Sequence, residues 1–212
     1  MAYFLTMSPR RLLTVIAAAL MIVVAGTWLA VKVATDHLLY QNATATARDW
    51  ARLLAETVTD LEQIAGGELP SNASMTFFDW ARQTGQVFRY EIYNLQGFAQ
   101  LAAEQTVASI DFADVNHEAL EAAQTESPVV SAHAREDGGH DHGGAFPEFF
   151  AEAYVPARVD GRTVAVVAAF VDQTAQRARF QETFVAAGGS LCLLTGLAFG
   201  IPALAWYRRT QE

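Results

Sequence analysis

Apolar positions follow three different patterns along the chain. Leu12 to Val31 is a run of 20 residues without a charge, and Thr183 to Tyr207 is another of 25. A helix rises about 1.5 Å per residue, so roughly 20 apolar residues cross the ~30 Å hydrocarbon core of a bilayer. Both runs are expected to be transmembrane helices. Between them the pattern turns amphipathic. From Val33 on, His37, Tyr40, Thr44, Ala47, Ala51, Leu54, Val58, Leu61 and Ala65 recur at steps of four and three, which marks one face of a helix, and Gly66-Gly67 ends it. The early members of this stripe are polar or small and the later ones mostly aliphatic. Its first half is therefore expected to pack loosely or against a second copy of the chain.

The third pattern is shorter. A helix from about Ser74 to Arg82 is expected to bury Phe77, Trp80 and Ala81, with Ser71 or Asn72 as its cap. Then Phe88, Tyr90 and Ile92 alternate with Arg89, Glu91 and Tyr93, and Asn94-Leu95-Gln96-Gly97 turns the chain into Phe98 to Ala102, a hairpin. Asn116 to Gln124 reads as a helix and Pro128 to Arg135 as a strand. Phe149 to Arg158 pairs with Arg162 to Val171 across Asp160-Gly161. This last strand is apolar on both faces, which predicts a central position in the sheet.

Charge sets an orientation. Arg10 and Arg11 precede the first apolar run and Arg208 and Arg209 follow the second, so the positive-inside rule puts both ends in the cytoplasm and the middle outside. The expected location is a bacterial inner membrane, crossed twice, with the central domain in the periplasm. A cleavable signal peptide is the rival for the first run, but the run is long for one. Cleavage after Ala30 or Ala34 would also put Trp28 or Lys32 where a small residue is wanted. Between the runs lie 10 basic and 22 acidic residues, a net charge of −12, which argues against nucleic acid and against docking on anionic lipid. The single cysteine, Cys192, lies in the second run, so the central domain has no disulfide and relies on its own core.

Three stretches, Phe150-Ala151-Glu152-Ala153-Tyr154-Val155-Pro156, Asp160-Gly161-Arg162 and Val171-Asp172-Gln173-Thr174, carry a resemblance. The chain resembles the extracytoplasmic sensor regions of alphaproteobacterial membrane-bound GGDEF and EAL proteins, which make or degrade cyclic di-GMP, and less often of histidine kinases. The similarity covers roughly residues 10 to 210 and is strongest from Glu148 to Thr174. It implies an α+β fold, a long N-terminal helix packed on a PAS-like or Cache-like antiparallel sheet, with a transmembrane helix on either side. The expected organisation is a cytoplasmic stretch 1–11, a transmembrane helix 12–31, a sensor-like domain 32–182, a second transmembrane helix 183–207 and a cytoplasmic tail 208–212. Within the domain, 32–66 is the long helix, 74–172 holds mixed helix and sheet, and 173–182 is an exit helix. Only Arg208 to Glu212 follow the second span, so no GGDEF, EAL or kinase domain is expected here. The chain is then a truncated receptor or one that acts through a separate signalling protein, and no catalytic residue is assigned.

Two sets of side chains are candidates for chemistry. In a PAS-like fold a small-molecule pocket lies between the sheet and its covering elements, and Arg89, Tyr93, His133, Arg135 and Tyr154 are placed to line it. Arginine there would pair bidentately with a carboxylate ligand. The second set is His133 with His140, Asp141 and His142 in a glycine-rich loop, whose imidazole and carboxylate groups suit a divalent metal such as Zn, Ni or Cu. The same loop composition also describes a solvated surface segment or a pH-sensitive one. No Ser-His-Asp or Cys-His nucleophile is recognisable. The leading reading is a membrane-anchored sensor module that forms a homodimer. The alternatives are a non-sensory membrane partner, with Gly188, Gly189, Gly196 and Gly200 permitting close helix packing, and an extracytoplasmic metal protein or metal enzyme.

Overall fold

The computed structural model describes residues 9–84, 86–104, 114–134 and 146–209. These form two compact units, one of Leu39–Arg177 and one of Met1–Leu38 with Ala178–Glu212. The elements in chain order are α1 (Pro9–Thr57), α2 (Leu61–Ala65), α3 (Asn72–Gln83), β1 (Val87–Tyr93), β2 (Ala99–Glu104), α4 (His117–Thr125), β3 (Val129–Ala134), β4 (Phe149–Val159), β5 (Arg162–Asp172) and α5 (Thr174–Arg209).

The Leu39–Arg177 unit is α+β, built on a five-stranded antiparallel sheet in the order β2-β1-β5-β4-β3. The strand expected to be central, β5, is the middle one. Its Ala165 to Val171 are all buried, which an Ala/Val-rich sequence permits on both faces at once. Asp160 and Gly161 join β4 to β5 with φ of 50° and 79°, the pair of left-handed residues that a two-residue hairpin turn requires.

One sheet face carries the main core. Leu54, Leu61, Ile64, Phe78 and Tyr90 pack there in a single buried cluster with Ala151, Ala153, Val167 and Ala169. Small residues on the strands let the helices lie close to the sheet. The expected continuous helix to Ala65 is broken after Thr57, where Thr57, Val58 and Thr59 form a β-branched run of poor helix propensity. The break frees Asp60, whose carboxylate accepts from the Ser71 backbone N–H at 2.7 Å and from the Ser74 hydroxyl. Burial works against the ionised form, but those bonds outweigh it and hold the carboxyl below its ordinary range. Val58 and Leu61 still reach the core, with the Val58 N–H bonded to Leu54 O before the break and the Ile64 N–H to Asp60 O after it.

The expected stripe is buried at Thr44, Ala47, Ala51, Leu54, Val58 and Leu61 and departs at its start, and on α3 Ala81 is buried as expected while its neighbours differ. The buried row near the start of this unit runs through Leu39, Ala43, Ala47 and Ala51, one step of four after another, while Tyr40 is 46% exposed and His37 is exposed. On α3 the buried residues are Ser74, Phe78 and Ala81, and Trp80 is 47% exposed. Phe78 stacks on Tyr90 with ring centroids 4.4 Å apart, whereas Trp80 rests on Phe77 and Trp50 at the surface. Ser71 is the cap, accepting from the Ser74 N–H.

In the other unit, the described parts of α1 and α5 each contain an 18-residue window of mean hydropathy 2.0 and 1.9, long and apolar enough to cross a membrane. Met21, Ile22, Leu193 and Leu194 are more than 60% exposed. Where the two helices meet, a Cβ on Gly188 would lie 3.4 Å from the Trp28 ring and 3.6 Å from Val31, so the glycine lets them approach. Gly189, Gly196 and Gly200 have nothing comparable against them.

Candidate functional site

The second sheet face is polar at its centre. It starts from a bulge. Val87 pairs with Val171 and Arg89 with Phe170, so Phe88 is the extra residue, and Phe88 and Arg89 both turn to this face while Val87 and Tyr90 enter the main core. Normal alternation then adds Glu91 and Tyr93 from β1, Val166, Ala168 and Phe170 from β5, Phe150, Glu152 and Tyr154 from β4, and Ser131 and His133 from β3. Register places Glu91 and Tyr154 on either side of Ala168, and Arg89 and Glu152 on either side of Phe170. The small Ala168 leaves room between the two polar columns.

These groups form one hydrogen-bonded chain. Arg89 donates to Glu91 Oε1 through Nε at 2.9 Å and also through Nη2, and the Tyr93 hydroxyl donates to Glu91 Oε2. On the other side, Glu152 Oε1 accepts from Ser131 Oγ at 2.8 Å and lies 2.9 Å from His133 Nε2, while Oε2 accepts from the Tyr154 hydroxyl at 3.2 Å. Asn116 joins the halves. Its Nδ2 donates to the hydroxyls of Tyr93 and Tyr154 at 3.3 and 3.2 Å, and its Oδ1 accepts from the Ala119 N–H at 2.8 Å as the cap of α4. Asn116 is itself fixed by a backbone bond to Gly97 O. Gly97 has φ +82°, and a Cβ there would stand 2.8 Å from the Asn116 carbonyl oxygen.

Burial makes the chain electrostatically costly to disturb. Glu91 is 2% exposed, Tyr154 3% and Tyr93 4%. Burial, then the charge of Glu91 and the bond to it, push the Tyr93 hydroxyl well above its usual range; burial and the charge of Glu152 do the same to Tyr154. For Glu152, burial favours the neutral acid, but bonds from His133 and Ser131 together with the charge His133 can carry outweigh it and hold the carboxyl low.

Aromatic side chains bound one end. Phe88, Phe146, Phe150 and Phe170 meet with centroid separations of 5.1–6.3 Å, and the Arg89 guanidinium lies 5.6 and 5.2 Å from the Phe146 and Phe170 ring centroids. His133 lies 5.2 Å from Phe150. The other end is closed by α4, whose Ala119 and Ala122 are fully buried.

Of the residues expected to line a pocket, Arg89, Tyr93, His133 and Tyr154 thus come together on one face, and Arg135 lies outside the described residues. His140, Asp141 and His142 also lie outside them. Among the described residues no three His, Cys, Asp or Glu side chains are grouped to hold a metal ion. Sequence reasoning missed Glu91, Ser131, Asn116 and Glu152. The signal for Glu91 and Glu152 was their position two residues from Tyr93 and Tyr154, on the same strand face. Ser131, His133 and Glu152 are not arranged as a nucleophile relay, because Ser131 and Glu152 both meet the same His133 nitrogen and the serine hydroxyl donates to the carboxylate directly. What the arrangement can do is bind: it gathers two carboxylates, a guanidinium and two tyrosine hydroxyls, largely buried, beside the half-buried rings of Phe88, Phe146, Phe150 and His133.

No family model matches the chain, and no curated protein does. Among solved structures, the GAF domain of A. aeolicus nlh2 in an inactive state is similar to it at 14% identity. That match covers 76% of this chain and 99% of that one with a TM-score of 0.36, too loose a likeness to bear on function.

Proposed function

We propose that the chain is a membrane-anchored extracytoplasmic sensor module of a signal-transduction receptor, PAS-like or Cache-like in fold, with the polar sheet face as its ligand site. The observation that carries this reading is on β5. The central strand supplies Ala168 and Phe170 to the site, ends at Asp172, and is followed at Thr174 by the apolar helix α5. The link is fastened: the Thr174 N–H donates to the Asp172 carboxylate at 2.8 Å, the Phe149 N–H donates to the Thr174 hydroxyl at 3.2 Å, and Arg177 lies over the Phe149 ring. A change in the site therefore has a short covalent path to one apolar helix, while α1 contributes both an apolar segment and core residues.

In this reading both apolar helices cross a bacterial inner membrane, both termini are cytoplasmic and the acidic domain is periplasmic, in keeping with Arg10, Arg11, Arg208 and Arg209. The functional unit is a homodimer that signals to a separate or attached output protein. The class of receptor, one of cyclic di-GMP signalling, rests on the sequence resemblance alone, which is strongest from Glu148 to Thr174. Labelling in intact cells tests the topology. In a Cys192→Ala chain, a cysteine at Asp160, on the β4–β5 turn, should react with a membrane-impermeant maleimide before the inner membrane is permeabilised. Labelling only after permeabilisation contradicts the reading.

A further inference from the structure

The polar face already holds a cation. The Arg89 guanidinium lies over Phe146 and Phe170 at cation–π distance, is bonded twice to Glu91, and has Glu152 across Phe170 on the neighbouring strand. That environment, two carboxylates beside aromatic ring faces, is the one proteins use for organic cations. The rings Phe88, Phe146 and Phe150 and the His133 edge are half-buried, whereas α4 packs the fully buried Ala119 and Ala122 at the other end.

We propose that Arg89 is the resident occupant of a cation site, and that the ligand of the module is a small organic cation, an amine or guanidinium compound, that takes its place. The proposal rests on the sensor reading for the existence of a ligand. It revises the carboxylate ligand expected from Arg89 in the sequence. Arg89 is committed to Glu91, which is 2% exposed, and a carboxylate ligand would enter as a third negative group between Glu91 and Glu152. A cation instead replaces like with like. It is also drawn in by a domain whose segment between the apolar runs carries a net −12.

The exchange supplies two states, Arg89 in and Arg89 out. The ligand binds only the second, which is the differential affinity a switch requires. As a tethered competitor, Arg89 lowers apparent affinity by the fraction of time the site is vacant. Weakening the competitor must therefore tighten binding of a free cation.

The probe is N-methylguanidinium at millimolar concentration, with acetate as the anionic comparison, titrated into the full chain in nanodiscs by calorimetry and thermal melting. Arg89→Ala is expected to bind methylguanidinium at least about tenfold more tightly than the wild type, to regain melting temperature in its presence, and to ignore acetate. Should Arg89→Ala not fold, Arg89→Lys decides. Its ammonium keeps the charge but loses the planar fork, so it should bind methylguanidinium more tightly than wild type. Methylguanidinium binding no tighter in either folded variant overturns the proposal, as does acetate binding by wild type that vanishes in both. A cation that binds without any change between the two apolar helices leaves this site intact and refutes the sensor reading. A receptor response to anions alone does the reverse.

Discussion

Replacing Asn116 by alanine tests whether the second sheet face is one connected structure. The side chain makes three bonds: the α4 cap at 2.8 Å, and donations to Tyr93 and Tyr154 at 3.3 and 3.2 Å. Loss of an N-cap costs about 1 kcal/mol. The two tyrosine bonds are long, and both hydroxyls keep their donations to Glu91 and Glu152, so the tyrosines are not left unsatisfied. Each lost bond then costs about 0.5–1 kcal/mol, the lower part of the usual range. The sum is about 2–3 kcal/mol, felt first in α4. Hydrogen exchange by mass spectrometry on the full chain reads this directly, since at about 1.4 kcal/mol per factor of ten the protection of amides 117–125 should fall roughly thirty- to a hundredfold. Asn116→Ser keeps a cap but cannot reach across to the tyrosines, and should lose about half as much. Full protection retained in Asn116→Ser would show that the tyrosine bridge contributes nothing. Unchanged protection in Asn116→Ala would refute the connected chain altogether.

Three further outcomes are expected. Gly97→Ala combines a left-handed φ with a Cβ 2.8 Å from the Asn116 carbonyl, and should destabilise the domain by about 2 kcal/mol or more in denaturant melts of the full chain; a shift below about 0.5 kcal/mol contradicts the close approach. Glu152 has its carboxyl held below the ordinary value of 4.5, so its contribution is present above that pH and is lost as pH falls through the depressed value. Glu152→Gln should therefore flatten the acid side of a melting temperature against pH profile, and an acid side that stays as steep rules Glu152 out as its source. Tyr93 and Tyr154 are raised and Tyr90 is pushed up to about 12, so these hydroxyls favour the fold below pH 10 and that contribution fades as pH rises beyond it. Of the six tyrosines, absorbance titration near 295 nm should find these three un-ionised at pH 10.5 while the domain stays folded; their early ionisation in a folded domain would contradict the buried chain.

The elements were legible because their signals are local. The Asn94–Gly97 and Asp160-Gly161 turns, the Ser71 cap, and the two-sided apolar run of β5 each declare themselves within a few residues. The faces of α1 and α3 were less so. Phe77, Phe78 and Trp80 are all large and apolar, and periodicity alone does not say that Phe78 meets Tyr90 while Trp80 stays at the surface. The site was legible only by halves. Arg89, Glu91 and Tyr93 share a strand face, as do Glu152 and Tyr154, but alternating charges on a strand look the same on a solvated face. What turns them inward is sheet order. With β5 between β1 and β4, the two polar columns flank Ala168, and α4 brings Asn116 down over both tyrosines, none of which is encoded in the spacing of any one segment.

If events in the site reach the apolar helices, they alter how two copies of the chain crosslink beside the membrane. Tyr40 is 46% exposed on α1, close after the apolar segment. A Tyr40→Cys, Cys192→Ala chain in membranes is oxidised with and without whichever amine or guanidinium compound raises the melting temperature of the full chain. A disulfide-linked dimer is expected whose yield changes when that compound is present and does not change in an Asn116→Ala chain that still binds it. A binding compound that leaves the yield the same in the otherwise unaltered chain would contradict that coupling.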